Sequence, residues 1–96
     1  MMAIEKLVIG KTYLVIQPNC HLTKLIREGI GIWRFIKRRL RPGDLIQYYG
    51  QEQDLRHFNK PHDVFSKDGF RGWFYPHNPD TGSADRGSLE EVDNQE

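Results

Sequence analysis

Turn-forming residues recur at short intervals in the second half of the chain and limit the length of any regular element there. Arg41-Pro42-Gly43-Asp44 and Lys67-Asp68-Gly69 combine residues typical of tight turns, and residues 77–87 are mostly Asn, Pro, Asp, Thr, Gly and Ser. The segments between them are short and rich in aromatic and β-branched residues, which favours strands. We expect these strands at residues 45–51, 63–66 and 70–75.

The first half of the chain also begins with a segment typical of a strand. Residues 7–17, LVIGKTYLVIQ, place Gly10 at a bend and are followed by a Pro18-Asn19 turn. A short segment at residues 89–92 would close the sheet. Several short strands separated by turns predict a mostly β domain, folded as a small barrel with one short helix.

Residues 21–40 carry two competing periodicities. At the period of an α-helix, the apolar residues fall within one broad arc and most cations within the opposite one. Gly29 and Gly31 interrupt that helix, each at a cost of about 1 kcal/mol relative to alanine. We therefore predict a short helical turn over residues 21–28 and a strand over residues 31–39. On that strand, alternation places Ile32, Arg34, Ile36, Arg38 and Leu40 on one side and Trp33, Phe35, Lys37 and Arg39 on the other.

The length of 96 residues suits one compact domain and is too short for two independent cores. We expect a single domain over residues 1–92 and a frayed acidic tail at residues 93–96. The apolar run at residues 7–9 is too short for a signal peptide or a membrane span, and the single cysteine, Cys20, excludes an internal disulfide. The sequence therefore predicts a cytoplasmic chain with no integral membrane association.

Residues 40–78 resemble part of a known family. The run LRPGDLI at residues 40–46 and the run GFRGWFYPHN at residues 69–78 are similar to the second half of a Src-homology-3-like barrel. The resemblance implies a small barrel with an insertion at about residues 19–36, and an interaction domain with an aromatic groove. Gly72 in this segment predicts a close approach of two backbones. The groove residues that the resemblance implies here are Tyr13, Trp73, Tyr75 and Pro76.

Consecutive aromatic residues in two of the predicted strands suggest an exposed binding surface. On a strand, Trp73 and Tyr75 point to one side and Phe74 to the other, so we expect Phe74 in the core. The first hypothesis is an aromatic face of Tyr48, Trp73 and Tyr75 that binds a protein or peptide partner. The alternative is that the predicted insertion packs over this side and hides it. Flanking cations favour an acidic partner, namely Arg34, Arg38 and Arg71.

Charge is distributed unevenly along the chain, although the formal net charge is only +1. Residues 24–41 carry seven cations and one acid, whereas residues 78–96 carry six acids and one arginine. The two regions could neutralise each other within the fold. If they do not, nucleic acid is the second hypothesis, because cations meet phosphates and rings such as Trp33, Tyr48 and Tyr49 stack on bases. Its contacts would be Arg34, Lys37, Arg38, Arg39 and Arg41.

The residues that could support catalysis or metal binding form no recognisable motif. Histidines stand at positions 21, 57, 62 and 77, and their spacing with Cys20 matches no compact set of zinc ligands. Cysteine–histidine or serine–histidine pairs can be drawn, but no motif fixes one, and a domain this small has little room for a deep pocket. We therefore expect a non-enzymatic binding module with no metal or cofactor, and the sequence leaves its oligomeric state open.

Overall fold

The computed structural model describes residues 6–52 and 61–92, and these residues form seven β-strands and one short 3-10 helix. The 3-10 helix, Arg86–Ser88, immediately precedes the last strand. No helix of the described residues is long and apolar enough to cross a membrane. The tail predicted at residues 93–96 lies outside the described residues. The strands are β1 Thr12–Val15, β2 Cys20–Gly29, β3 Ile32–Leu40, β4 Leu45–Glu52, β5 His62–Lys67, β6 Phe70–Tyr75 and β7 Leu89–Glu91.

All seven described strands belong to one antiparallel sheet with the order β3-β2-β6-β5-β4-β1-β7. The prediction of a mostly β domain is therefore confirmed. The sheet that the described residues form is not closed into the predicted small barrel, because β3 and β7 lie at opposite edges, where β3 pairs with β2 and β7 with β1.

The hairpin of β2 and β3 extends beyond the rest of the sheet. β2 pairs with β3 along most of its length but with β6 only at His21, Leu22 and Thr23. At about 3.3 Å per residue, residues 24–29 reach roughly 20 Å past that contact. The elongated dimensions of the molecule, 47 × 26 × 24 Å, agree with a projecting hairpin.

The short helical turn predicted at residues 21–28 is wrong, since these residues are part of β2. Residues 21–23 pair with strands on both sides, β3 and β6, whereas residues 24–28 lie along β3 only. Pairing with β3 along the hairpin, and with β6 at residues 21–23, therefore outweighs a local helical period that Gly29 and Gly31 already weaken. The strand predicted at residues 31–39 is confirmed as β3.

The other strand predictions are largely confirmed. Segments 45–51, 63–66 and 70–75 correspond to β4, β5 and β6, and residues 89–92 contain β7, which pairs with β1. In the first segment, only Thr12–Val15 forms a strand, and Gly10 has a φ of 89° at the predicted bend.

The hydrophobic core lies on one side of the sheet, which we call the core face. Alternation along the strands brings Leu22, Ile46, Phe65 and Phe74 to that side, where all four are buried. The burial of Phe74 is as predicted. We call the opposite side, which carries His21, Trp73 and Tyr75, the outer face.

Gly72 lies where β6 runs close to β2. A Cβ atom at this position would come within 2.5 Å of the carbonyl oxygen of Thr23 and within 2.8 Å of its carbonyl carbon. Real Cβ atoms do not approach backbone atoms so closely, because van der Waals repulsion is steep at that distance. The close approach predicted at Gly72 is thus confirmed.

Candidate binding face on the β2–β3 hairpin

Two of the three rings predicted for the aromatic face are inside the protein. Tyr48 is 6% exposed and Trp73 is 7% exposed. The Tyr48 ring packs on Phe65 on the core face, and its hydroxyl donates a 2.7 Å hydrogen bond to the buried Asp63 carboxylate. Burial, together with that hydrogen bond, raises the pKa of Tyr48. The expectation that Tyr48 and Trp73 are exposed is therefore wrong.

Trp73 lies on the outer face beneath the hairpin. Its strand neighbours are Thr23 of β2 and Val64 of β5, and the ring of Phe35 on β3 contacts it with ring centroids 6.5 Å apart. The predicted alternative, in which residues 19–36 cover this side, is the arrangement that forms. Tyr75 is only half-buried.

Arg71 occupies an exposed position of β6 on the outer face. Its guanidinium lies 5.4 Å from the centre of the Tyr49 ring, and one of its nitrogens is 3.7 Å from a carboxylate oxygen of Glu52. Tyr49 lies in the bulge of β4 and is 46% exposed. Part of the charge of Arg71 is therefore neutralised locally.

The predicted basic patch is divided between the two sides of β3. Arg34 and Arg38 lie on the core-face side, where Arg34 pairs with Glu28 at 2.7 Å and Arg38 pairs with Asp68 at 3.4 Å. Such exposed pairs contribute at most about 1 kcal/mol to stability, but they do offset the charge of both arginines. Glu28 belongs to the hairpin itself and Asp68 to the turn between β5 and β6, whereas Glu91 of the acidic C-terminal region pairs with Lys11.

Arg41 belongs to neither side of β3. It is exposed at the start of the predicted turn, where its backbone N–H donates a 2.8 Å hydrogen bond to the Asp44 carboxylate. Gly43 in the same turn has a φ of 101°, which confirms the turn. Arg41 therefore follows β3 but belongs to neither row of side chains on that strand.

The remaining side chains of β3 form a continuous surface on the outer face. Trp33, Phe35, Lys37 and Arg39 alternate with the ion-paired arginines, as the sequence predicts for a strand. We call these four residues the hairpin face. Trp33 is 37% exposed and Phe35 is 48% exposed. Among the residues that the structure describes, Lys37 and Arg39 form no ion pair.

The hairpin face presents its rings and charges in a fixed order. Trp33 and Phe35 lie toward the tip of the hairpin, and Lys37 and Arg39 lie toward its base. Successive members are about 6.6 Å apart along the strand, so the four span roughly 20 Å. On β2, the guanidinium of Arg27 lies 6.0 Å from the centre of the Trp33 ring. The rings of Trp33 and Phe35 therefore lie beside the positive charges of Lys37, Arg39 and Arg27, and none of these charges forms an ion pair with a described acid.

Imidazole and phenol rings continue the outer face from the base of the hairpin to the loop after β6. His21 stacks on Tyr75 with centroids 4.8 Å apart, Tyr75 contacts His77 at 4.4 Å, and His77 contacts His62 at 4.6 Å. Burial and, next, the charge of Lys37 lower the pKa of His21, and burial and then His62 lower the pKa of His77. Both lowered pKa values favour neutral rings near pH 7.

The geometry offers little for metal binding or thiol chemistry. Across residues 6–52 and 61–92, no three histidine, cysteine, aspartate or glutamate side chains are arranged to hold a metal ion. His57 lies outside the described residues. The Cys20 thiol is buried and donates a hydrogen bond to the Gln17 carbonyl oxygen at 3.4 Å, and burial raises its pKa. A raised pKa keeps the thiol protonated and poorly nucleophilic.

The sequence alone does not single out Phe35 or His21 as site residues. The alternation along residues 31–39 does place Phe35 beside Trp33 and Lys37, and this signal could have identified it. His21 carries no such signal, because its position opposite Arg39 depends on the register between β2 and β3.

Known proteins provide no further guide to this surface. No family model, curated protein or solved structure matches the chain.

Proposed function

We propose that this protein is a non-enzymatic binding module that holds single-stranded nucleic acid on the hairpin face. One observation carries the proposal: along one side of β3, two exposed rings, Trp33 and Phe35, are followed by the two cations Lys37 and Arg39. Aromatic rings stack on bases of any identity, and neighbouring cations neutralise phosphates. This combination of side chains is what a sequence-tolerant single-strand site needs.

A single strand suits the hairpin face better than a duplex. In a duplex the bases stack on one another, so their faces are not accessible to Trp33 and Phe35, whereas an unpaired strand exposes them. Each ring then stacks on one base, and Lys37 and Arg39 contact the phosphates that follow. Arg27, beside the Trp33 ring, adds a further positive charge toward the tip.

Recognition of an acidic protein or peptide is the competing proposal. Its expected surface was Tyr48, Trp73 and Tyr75, and the burial of the first two leaves little of it accessible. Arg71, the cation beside that surface, is engaged by Glu52. An acidic segment would still meet Lys37 and Arg39, so a glutamate-rich peptide is the competing ligand.

Fluorescence anisotropy with a labelled thymidine strand of roughly 12 nucleotides tests the proposal. Two variants of β3 are compared, and each replaces two cations by glutamine. Lys37→Gln with Arg39→Gln alters the hairpin face, and Arg34→Gln with Arg38→Gln alters the opposite side. We expect the first pair to weaken binding by about tenfold or more and to reduce the slope of log affinity against log salt by roughly 1.4, and the matched pair to weaken it by about threefold or less.

Replacement of a ring probes the stacking contribution separately from charge. Trp33→Ala should weaken binding by about tenfold, because stacking on one aromatic ring contributes roughly 1–3 kcal/mol. Equal losses in the two charge variants would show that total charge drives binding and would contradict a site on the hairpin face. Failure of the strand to bind, with retention of a glutamate-rich peptide, would favour protein recognition.

A relationship of residues 40–78 to Src-homology-3-like barrels is a separate proposal. It is supported by the three successive antiparallel strands β4, β5 and β6 that these residues form, and by positive φ angles at the turn glycines Gly43 and Gly69. An experimental structure tests it. Superposition of β4, β5 and β6 on the barrel strands of that family in the same register would support the relationship, and a different register would contradict it.

A further inference from the structure

An open cavity lies at the base of the hairpin, beyond the rings of the hairpin face. Its volume is about 360 Å³, and no lining residue is acidic. Within the described segments of the chain, neither of its two cations forms an ion pair. The cavity therefore concentrates positive charge. Its lining residues are Asn19, Cys20, His21, Lys37 and Arg39.

Strand pairing holds the polar groups of this cavity in place. His21 lies directly opposite Arg39 in the β2–β3 register, and Lys37 is the next residue on the same side of β3. Tyr75 stacks on the His21 ring with the two ring planes only 8° apart. Lys37, Arg39 and the His21 imidazole thus line the same cavity, and the hydrogen bonds between β2 and β3 set their spacing.

We propose that this cavity binds a phosphomonoester group and, on the basis of the proposed function, that this group is the terminal phosphate of the strand held on the hairpin face. A phosphomonoester carries about −1.5 to −2 charges at neutral pH and has three acceptor oxygens. Lys37 and Arg39 supply two permanent positive charges, and Asn19 and His21 supply further N–H donors. An internal phosphodiester, with a single negative charge, would leave part of that positive charge unmatched.

The position of the cavity relative to the rings also supports a terminal phosphate. Trp33 and Phe35 lie toward the tip of the hairpin, whereas the cavity lies beside Arg39 at the opposite end of the hairpin face. When two bases of a nucleic-acid strand stack on Trp33 and Phe35, the backbone of that nucleic acid passes Lys37 and reaches the cavity there. The phosphate that enters the cavity is then the last one of the bound segment.

Occupation of the cavity changes the environment of His21. Burial lowers the pKa of His21 in the folded protein, with smaller effects from Lys37 and His77. The groups that face the ring are Lys37 and Arg39 from β3, Tyr75 from β6, and His77 beyond Tyr75. A phosphate beside the ring stabilises its protonated form, so the pKa of His21 rises when the cavity is filled.

Anisotropy with one internally labelled strand in three forms tests the terminal phosphate. The strand carries a 5′-phosphate, a 3′-phosphate or neither, and we expect one phosphorylated form to bind about tenfold more tightly than the unmodified strand. His21→Phe keeps a ring against Tyr75 but removes both ring nitrogens. It should reduce the preference for the phosphorylated end, measured as the ratio of the affinities for the phosphorylated and the unmodified strand, while Lys37 and Arg39 retain part of it.

Titration of the wild-type histidines by NMR, with and without inorganic phosphate, tests the cavity without any substitution. We expect phosphate to raise the pKa of His21 and to change that of His77 less. Equal affinity for the three strand forms would overturn the terminal-phosphate inference and leave the proposed function intact. If no strand binds but phosphate raises the pKa of His21, the proposed function fails and the phosphomonoester site stands. An unchanged pKa of His21 in phosphate overturns the cavity as a binding site.

Discussion

Phe35 of β3 lies against Trp73 of β6, with ring centroids 6.5 Å apart and ring planes at 62°. The contact reaches across β2, which separates these two strands in the sheet. Trp73 is only 7% exposed, while Phe35 itself keeps 48% of its surface accessible. Phe35 therefore anchors the projecting hairpin with one part of its ring and contributes the other part to the hairpin face.

Replacement of Phe35 by alanine should expose the indole of Trp73. The chain has two tryptophans, so the measurement is made in a Trp33→Phe background, where Trp73 is the only one left. We expect its fluorescence emission to shift to longer wavelength and to become more sensitive to acrylamide, because the covering ring is lost. The free energy of unfolding should fall by about 1–2 kcal/mol, since the deleted ring is half-exposed.

A control for this experiment is available on the same strand. Ile32→Ala removes an exposed apolar side chain from the opposite side of β3 and should leave the emission of Trp73 unchanged. An emission spectrum that is identical in the Phe35→Ala variant and its parent would contradict the contact.

Gly72→Ala should destabilise the fold by about 1–3 kcal/mol, because the new methyl group would collide with the backbone of Thr23 and force β2 and β6 apart. Urea denaturation measures the change. Gly29→Ala is the matched control, since the nearest atom to its Cβ is a side-chain carbon of Ile32 at 3.7 Å, an ordinary contact. The control should change stability by about 0.5 kcal/mol or less, and a Gly72→Ala variant as stable as the control would rule out the close approach.

Tyr48→Phe should weaken the protein at neutral pH, because the buried Asp63 carboxylate loses the hydroxyl donor at 2.7 Å and keeps the Ala84 N–H at 2.7 Å. Loss of one hydrogen bond to a buried charged group typically costs about 1–3 kcal/mol. Tyr49→Phe, at an exposed ring in the same strand, serves as the control. Urea denaturation at pH 7 compares the two, and equal stability would contradict the role assigned to the Tyr48–Asp63 bond.

Alkaline pH gives a second, independent prediction for Tyr48. Its pKa in the folded protein is raised, so above about pH 10 the unfolded chain loses a proton that the folded protein retains. The stability that this difference contributes is fully present below that pH and is lost as the pH rises. We expect the fall in unfolding free energy between pH 8 and pH 11 to be smaller in Tyr48→Phe than in the wild type. Tyr75, whose pKa is also raised by burial, should account for part of the remaining fall.

Acidic pH should destabilise the protein through His21 and His77. The pKa of each is lowered in the folded protein, so near pH 6.5 and below the unfolded chain binds protons that the folded protein does not. The corresponding stability is present above about pH 6.5 and is lost as the pH falls through the folded-state pKa values. Urea denaturation in phosphate-free buffers between pH 7.5 and pH 5 should show this loss. The double variant His21→Gln with His77→Gln should show a smaller loss, and an identical pH profile would refute the assignment.

Much of the second half of the fold follows from residues that are close together in the chain. The turns at residues 41–44 and 67–69 and the strands between them depend on the backbone freedom of Gly43 and Gly69 and on short apolar runs. The side to which each residue of β3 points also follows from the alternation of a strand. Alternation alone is therefore enough to group Trp33, Phe35, Lys37 and Arg39 on one side of β3.

The exposure of the rings did not follow in the same way. Alternation separates Tyr48 from Tyr49 and Trp73 from Phe74, but it does not say which side another part of the chain will cover. Tyr48 is buried against Phe65 of the next strand, and Trp73 is covered by Phe35 of the hairpin. The exposure of Tyr48 and Trp73 expected from the sequence is therefore wrong, even though the alternation behind it is correct.

By itself, the sequence determined the positions of the turns, the predominance of strands and the grouping of side chains along β3, because these depend on local backbone preferences and on the two-residue period of a strand. Only the tertiary structure decided that residues 21–28 form a strand, that the sheet stays open and that His21 meets Arg39. Each of these depends on how one strand pairs with another. The register of such pairing is set by the packing of the whole sheet.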